Sequence, residues 1–130
     1  MSKNLWRPTE TELEILKVLW EFGPASVRDV HEALESQGRD YAYTTTLKLL
    51  QVMHGKGLVS RDESQRAHVY APVHSRESTE KAFVGDLIKR LFDGSASRLV
   101  LQALGDTPAA NAEELRAIRA LLERLGGPQA

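Results

Sequence analysis

Eight residues between Tyr43 and His68 share one chemistry: they offer hydrogen bonds or positive charge outward to an electron-rich partner. Tyr43, Thr44, Thr45, Lys48 and Gln51 open a helical stretch that runs to about Lys56. Hydroxyls in the first turn of a helix, beside N–H groups that no carbonyl claims, favour an anion or a base edge. Lys48 suits a phosphate or a guanine edge, and Gln51 an adenine edge or a phosphate. Both avoid the apolar stripe of Leu47, Leu50 and Met53, with Leu49 beside it, and so face outward. Tyr43 can stack on a sugar–phosphate backbone or cover the helix start. The run Thr44-Thr45-Thr46 is unusual there, because β-branched residues are mediocre helix formers. The bland alternative is that one threonine caps the helix and another packs its methyl group.

Arg61, Arg66 and His68 flank a second, polar turn, where such side chains serve backbone or minor-groove contacts. Asp62 and Glu63 would repel phosphate, which favours the Arg66 side. Two arginines near a turn also suit a merely soluble surface, so spacing alone leaves both readings open.

Other chemistries find little to work with. The chain has no cysteine, which removes disulfides, thiolate metal sites and cysteine nucleophiles. His31, His54, His68 and His74 follow no compact ligand spacing, so no metal and no cofactor is expected. There is no phosphate-binding glycine loop, no H-E-x-x-H and no G-x-S-x-G, so no enzyme is expected.

The elements that must hold these residues can be read from their punctuation. Thr9 caps a first helix with Glu12 three residues on, and Leu13, Leu16, Leu19 and Trp20 form its stripe, widened by Ile15 and Phe22. Gly23-Pro24 stops it. Ser26 and Asp29 open a second helix that buries Val27, Val30, Ala33 and Leu34 before Gly38. Gly57 closes the third. Leu58–Arg61 and Ala67–Ala71 read as two antiparallel strands about the turn Asp62–Gln65, with Pro72 ending the second. Three short helices and a β-hairpin, in that order, predict a winged helix-turn-helix over residues 5–74.

Residues 75–126 read as helical. Ser75 caps a helix bearing Ala82, Phe83, Leu87, Ile88, Leu91 and Phe92, and Asp93-Gly94 stops it. A shorter one from Ser95 to Leu104 carries Leu99, Val100, Ala103 and Leu104. The last, capped by Asn111 with Glu114 three on, has the stripe Leu115, Ile118, Leu122 and Leu125. Three amphipathic helices in so short a segment make a poor core alone. Their apolar faces need a partner, and an identical chain is the simplest one. Phe83, Leu87, Leu91, Leu99, Val100 and Leu104 are the expected dimer contacts. The fold class expected is thus mainly α with a small β-hairpin wing, plus a C-terminal helical dimerisation segment.

The charge distribution agrees with that division. The net charge is −1, but residues 41–74 hold four Lys/Arg against two Asp/Glu, while residues 1–40 hold five against eight. The positive excess sits where the outward-facing donors are. No apolar run approaches the ~18 residues of a membrane span, and the start lacks a signal-peptide core, so a cytoplasmic protein is expected.

The stretch Thr9-Glu10-Thr11-Glu12-Leu13-Glu14-Ile15-Leu16-Lys17-Val18-Leu19-Trp20 resembles the first helix of the penicillinase-repressor family (the BlaI/MecI/CopY type). Val27-Arg28-Asp29-Val30 resembles part of that family's second helix, and Tyr41-Ala42-Tyr43-Thr44-Thr45 the opening of its third. Lys56-Gly57-Leu58-Val59 is similar to its lead into the wing, and Leu91-Phe92-Asp93-Gly94-Ser95 with Leu99-Val100 to its dimerisation region. The resemblance runs from about Leu5 to Leu125. It implies a homodimeric repressor on inverted repeats in double-stranded DNA, often with a TACA/TGTA core. It implies a membrane-sensor zinc metallopeptidase as a further partner. In β-lactam-responsive members, repression is relieved by cleavage shortly after the Leu-Val pair. The corresponding peptide here is Gln102-Ala103, where those members have Asn-Phe, a departure that bears on protease specificity. The copper-responsive branch carries a C-terminal cysteine cluster, which a chain without cysteine cannot supply. The rival expectation is a winged-helix protein-interaction module. It would show apolar residues where this chain shows Thr, Lys and Gln.

Overall fold

The computed structural model describes residues 7–106 and 112–126, leaving aside the side chains of residues 106, 122, 125 and 126. The helices are α1 (Glu10–Phe22), α2 (Val27–Ser36), α3 (Tyr43–Lys56), α4 (Arg76–Arg90), α5 (Ala96–Asp106) and α6 (Ala112–Gly126). Strands β1 (Ala25–Ser26), β2 (Val59–Asp62) and β3 (Val69–Pro72) form one antiparallel sheet in the order β1-β3-β2. The chain divides into two compact units, Met1–Gly85 and Asp86–Ala130, with the division inside α4.

In the first unit, both expected capping boxes form. Thr9 Oγ1 accepts from the Glu12 N–H at 3.2 Å and Glu12 Oε1 from the Thr9 N–H at 2.9 Å. Ser26 and Asp29 make the same reciprocal pair. Such a cap stabilises a helix by about 1 kcal/mol. Glu12 is buried, and Lys56 Nζ donates to both its carboxylate oxygens at 3.0 and 2.9 Å. One carboxylate therefore caps α1 and ties down the far end of α3. Gly57 closes α3 at φ 83°, a left-handed conformation that glycine adopts without steric cost.

The core is one cluster: Ile15, Leu16, Val18 and Leu19 from α1, Val27, Val30 and Leu34 from α2, Leu50 and Met53 from α3, with Ala25, Leu58, Val59 and Tyr70 from the sheet and its approach. Leu13, Trp20, Ala33 and Leu47 are only half-buried. One expectation fails at the edge of this core. Phe22 does not widen the α1 stripe: it lies in the last turn, 64% exposed, at an open surface recess that it shares with Asp29 and Ala33 of α2. The third strand, β1, is not foreshadowed by the sequence. Two residues carry no periodicity of their own; Ala25 and Ser26 become a strand by pairing with Tyr70 and Val69.

The hairpin is shifted by a residue or two from its expected bounds. Leu58 precedes the first strand and Asp62 extends it; Ala67 and His68 belong to the turn; Pro72 lies inside β3, opposite Val59. Proline is tolerated there because Ala71 and Pro72 sit at the end of the ladder.

Beyond the hairpin, Trp20 Nε1 donates to the His74 carbonyl at 3.0 Å, and the Arg76 guanidinium lies 5.9 Å from the Trp20 ring. Ser75 Oγ accepts from the Ser78 N–H, capping α4 as expected. In the second unit Ser95 Oγ accepts from the Arg98 N–H and starts α5. The turn before it places Asp93 at φ 51° and Gly94 at φ 86°, so α4 ends at Arg90, ahead of both. The expected cap Asn111 lies outside the described residues, as do the side chains of Leu122 and Leu125. No described residue after Thr79 is buried. No helix is long and apolar enough to cross a membrane, among the described residues.

Candidate nucleic-acid interface

Helix α3 crosses the first unit with one face in the core and the other in solvent. At 100° per residue, Lys48 marks the centre of the outer face, with Thr44 and Gln51 on one flank and Thr45 and Val52 on the other. All five are exposed. Thr46 turns inward instead: it is fully buried, and its hydroxyl reaches back to the Ala42 carbonyl at 3.5 Å. Of the three threonines, then, two face out and one packs, and none caps the helix. The N-cap is Ala42, which makes no side-chain hydrogen bond. The first-turn N–H groups of α3 thus lack the side-chain acceptor that α1 and α2 have.

The loop into α3 is anchored from below. Glu14 accepts from the Tyr41 hydroxyl at 3.0 Å and pairs with Arg39 at 3.2 Å. Tyr43 is half in solvent, and its ring meets His31 edge-on at 5.6 Å between centroids. It covers the helix start while leaving one side available for stacking.

The wing places its three candidates differently. Arg61, opposite Tyr70 in the β2–β3 ladder, is held by Tyr70 and by the Glu63 carboxylate, 2.7 Å from its Nε. Those hydrogen bonds raise its pKa further above an already high range. The same pair holds Glu63 below the usual carboxylate range, and Asp62 is lowered by accepting the Ser64 N–H and hydroxyl. Arg61 is therefore committed within its own hairpin. Arg66 is exposed and makes no ion pair with a described residue, as is true of Lys48. His68 is half-buried beside it.

Tyr43, Gln51, Arg61, Arg66 and His68 share an open cleft of about 440 Å³ between α2, α3 and the wing. Thr44, Thr45 and Lys48 lie outside it, on the outer face of α3. Two further residues on this surface escape the sequence reading. Val52 follows Lys48 by four residues, so helical spacing puts it on the outer face, but a valine offers neither a hydrogen bond nor a charge and so does not announce a contact. Arg28, near the start of α2, lines the cleft opposite the wing; nothing in its local sequence marks it, since only β1–β3 pairing brings α2 to the wing.

The expected dimer contacts are spread over both units. Phe83 belongs to the first, half-buried, with the Arg7 guanidinium 5.6 Å from its ring centroid. Leu87, Leu91 and Leu104 are exposed and Leu99 and Val100 half-exposed in the second. Leu101, at 71%, is the most exposed of the described large apolar residues. Gln102 and Ala103 lie within α5, both exposed. Among the described residues no three potential ligands gather into a metal site.

Comparison with known proteins agrees with this architecture. The chain matches the sequence model of the family described as Penicillinase repressor over residues 8–124. It is 36% identical over 122 residues to the transcriptional regulator BlaI of Mycobacterium tuberculosis, in strains CDC 1551 and H37Rv alike, covering 92% of this chain and 88% of that one. Its fold matches the solution structure of the DNA binding domain of the repressor BlaI, with a TM-score of 0.50 and 24% identity over 58% of this chain and 90% of that chain. The family model spans nearly the whole chain and the relative is covered over most of its length: the protein belongs to the penicillinase repressors, transcriptional regulators built on a winged helix and not enzymes.

Proposed function

We propose that the protein represses transcription by binding an inverted-repeat operator in double-stranded DNA as a homodimer. The observation that carries this reading is the outer face of α3, where Thr44, Thr45, Lys48 and Gln51 stand exposed and Lys48 has no ion-pair partner among the described residues. A helix with such a face enters the major groove, its N-terminal residues against base edges. Tyr43 stacks on the adjoining backbone; Arg66 and His68 contact phosphates from the wing, and Arg61 joins them only by leaving Glu63. Two copies place two such helices about 34–36 Å apart, one turn of the duplex.

The dimer forms through the second unit. Leu87, Leu91, Leu99, Val100 and Leu104 supply apolar side chains that a second copy covers, and Phe83 of the first unit adds to the contact. Relief of repression falls on the same segment: a membrane-sensor metallopeptidase cuts at Gln102-Ala103. A protease needs its peptide extended, so the α5 helix must first open. Within one chain α5 holds no described buried side chain, but in the dimer its Leu99, Val100 and Leu104 are covered, so opening the helix for cleavage must also loosen the dimer contact.

Selection of bound duplexes from a random DNA pool by the purified chain, near physiological salt, tests the reading. Enrichment of an inverted repeat is expected. A folded, dimeric protein that retains no duplex would overturn it.

A further inference from the structure

The cleft between α2, α3 and the wing gathers three arginines in one lining. Its charged and titratable side chains are Arg28, Arg61, Arg66, Tyr70, Tyr43 and His68; no carboxylate lines it. The chain as a whole carries 17 basic and 18 acidic residues, and residues 1–40, which include Arg28, are net acidic. Cations from two distant segments, residue 28 and residues 61–68, are brought to one cavity by the pairing of β1 with β3. Two of them are uncommitted: neither Arg28 nor Arg66 forms an ion pair with any described residue, whereas Arg61 is held by Tyr70 and Glu63. Ser26 and Gln51 add neutral polar groups to the lining.

From this we infer that the cleft is a seat for the phosphate backbone of one DNA strand, with Arg28 gripping it from the α2 side and Arg66 from the wing. The inference rests on the reading of the chain as a DNA-binding repressor and adds to it a strand position and a contact residue. A helix in the major groove and a wing beside it have between them the strand that separates the two grooves. An open cleft lined by arginines on both banks suits a continuous polyanion passing through, rather than a ligand enclosed within. Such contacts position the protein on the duplex and carry no base information. Arg28 therefore contributes equally on operator and unrelated DNA.

The test uses the full chain and its selected operator, with affinity measured between roughly 50 and 200 mM salt. Each phosphate contact contributes about 0.9 to the slope of log affinity against log salt. Arg28→Gln, counted twice in a dimer, is expected to flatten that slope by about 1.8, so the parent loses roughly twelve-fold more affinity over the range than the variant does. Arg28→Lys should keep the parent slope, and Arg28→Gln should melt with the parent, since no described partner is lost. A parent-like slope in Arg28→Gln overturns the inference while leaving the repressor reading intact. So does tight binding of inorganic phosphate alone that Arg28→Gln abolishes with no change in DNA slope; the cleft would then serve a free phosphorylated ligand. A parent protein that binds no DNA overturns the underlying reading and this inference with it.

Discussion

The two units of this chain are written in the same vocabulary of amphipathic helices, yet only one buries what it carries. In Met1–Gly85, α1, α2 and α3 enclose a cluster that runs from Ile15 to Tyr70. In Asp86–Ala130, no described side chain is buried, and Leu91, Leu101, Leu104, Leu115 and Leu121 stand exposed. The difference is one of geometry. Three short helices crossing over a sheet surround a volume, whereas α5 and α6 have stripes and no third layer. The first unit has what it needs to fold as a monomer. The second needs something against its leucines, and burial of each would contribute about 1.5–3 kcal/mol.

The sharpest way to break this contrast is a matched pair of truncations. Leu50→Ala removes a fully buried side chain from α3 and should cost about 2–5 kcal/mol in urea unfolding, by the range usual for such cavities. Leu101→Ala, on a residue 71% exposed, should change monomer stability by less than about 0.5 kcal/mol. Equal costs would mean that the second unit has a core of its own. Next in size is Lys56→Ala, which leaves the buried Glu12 carboxylate with only its capping N–H. Stranding a buried charge costs roughly 3–5 kcal/mol; Lys56 is partly exposed, so about 3 kcal/mol is expected, measured as a lower thermal midpoint.

That ion pair also shows where sequence reading stops. Glu12 is legible as a capping residue, because its partner Thr9 is three positions away. Its second role, holding Lys56 across 44 residues, depends on α1 and α3 packing side by side, and no local pattern carries it. The same split recurs throughout. Helix starts at Thr9, Ser26, Ser75 and Ser95 were legible, since capping is a local bargain between neighbours. Strand β1 and the position of Arg28 were not, since both exist only through β3. Among Thr44, Thr45 and Thr46 the residue types are identical, and the phase of α3 against the core decides that Thr46 is the buried one. The recognition face was legible through periodicity. The state of Arg61, held by a carboxylate two residues on, was foreshadowed only by the acidic character of its turn.

On the second unit, Leu91→Asp places a charge on the surface proposed to close the dimer, where an unpaired carboxylate would be desolvated. Monomers in sedimentation, and operator binding weakened by the loss of two-site attachment, are the expected outcome; an intact dimer would move the interface elsewhere. On the first unit, Lys48→Ala removes one proposed groove contact and should weaken operator binding by about 1–3 kcal/mol with unchanged melting. Parent-like binding would take α3 out of the groove.

The smallest expected effect lies in the wing, and it asks whether the first unit holds its own cations in reserve. Glu63 is held below its ordinary 4.5, first by the Arg61 hydrogen bond and then by its charge, with smaller help from His68 and His54. A lowered carboxylate stabilises the fold fully above its unfolded value and loses that contribution as pH falls through the folded one. The wing pair should therefore be intact at neutral pH and open only below about 4.5, with little change in global stability, because both groups are solvent-screened. A carboxylate resonance of Glu63 titrating at its ordinary value would show that the pair does not form in solution. Glu63→Gln makes the consequence visible at neutral pH. It removes a charge that repels phosphate and weakens the hold on Arg61, so operator binding should tighten and its salt dependence steepen by up to one contact per subunit. If affinity and slope both stay at the parent values, Arg61 does not reach DNA even when released, and the wing contact belongs to Arg66 and His68.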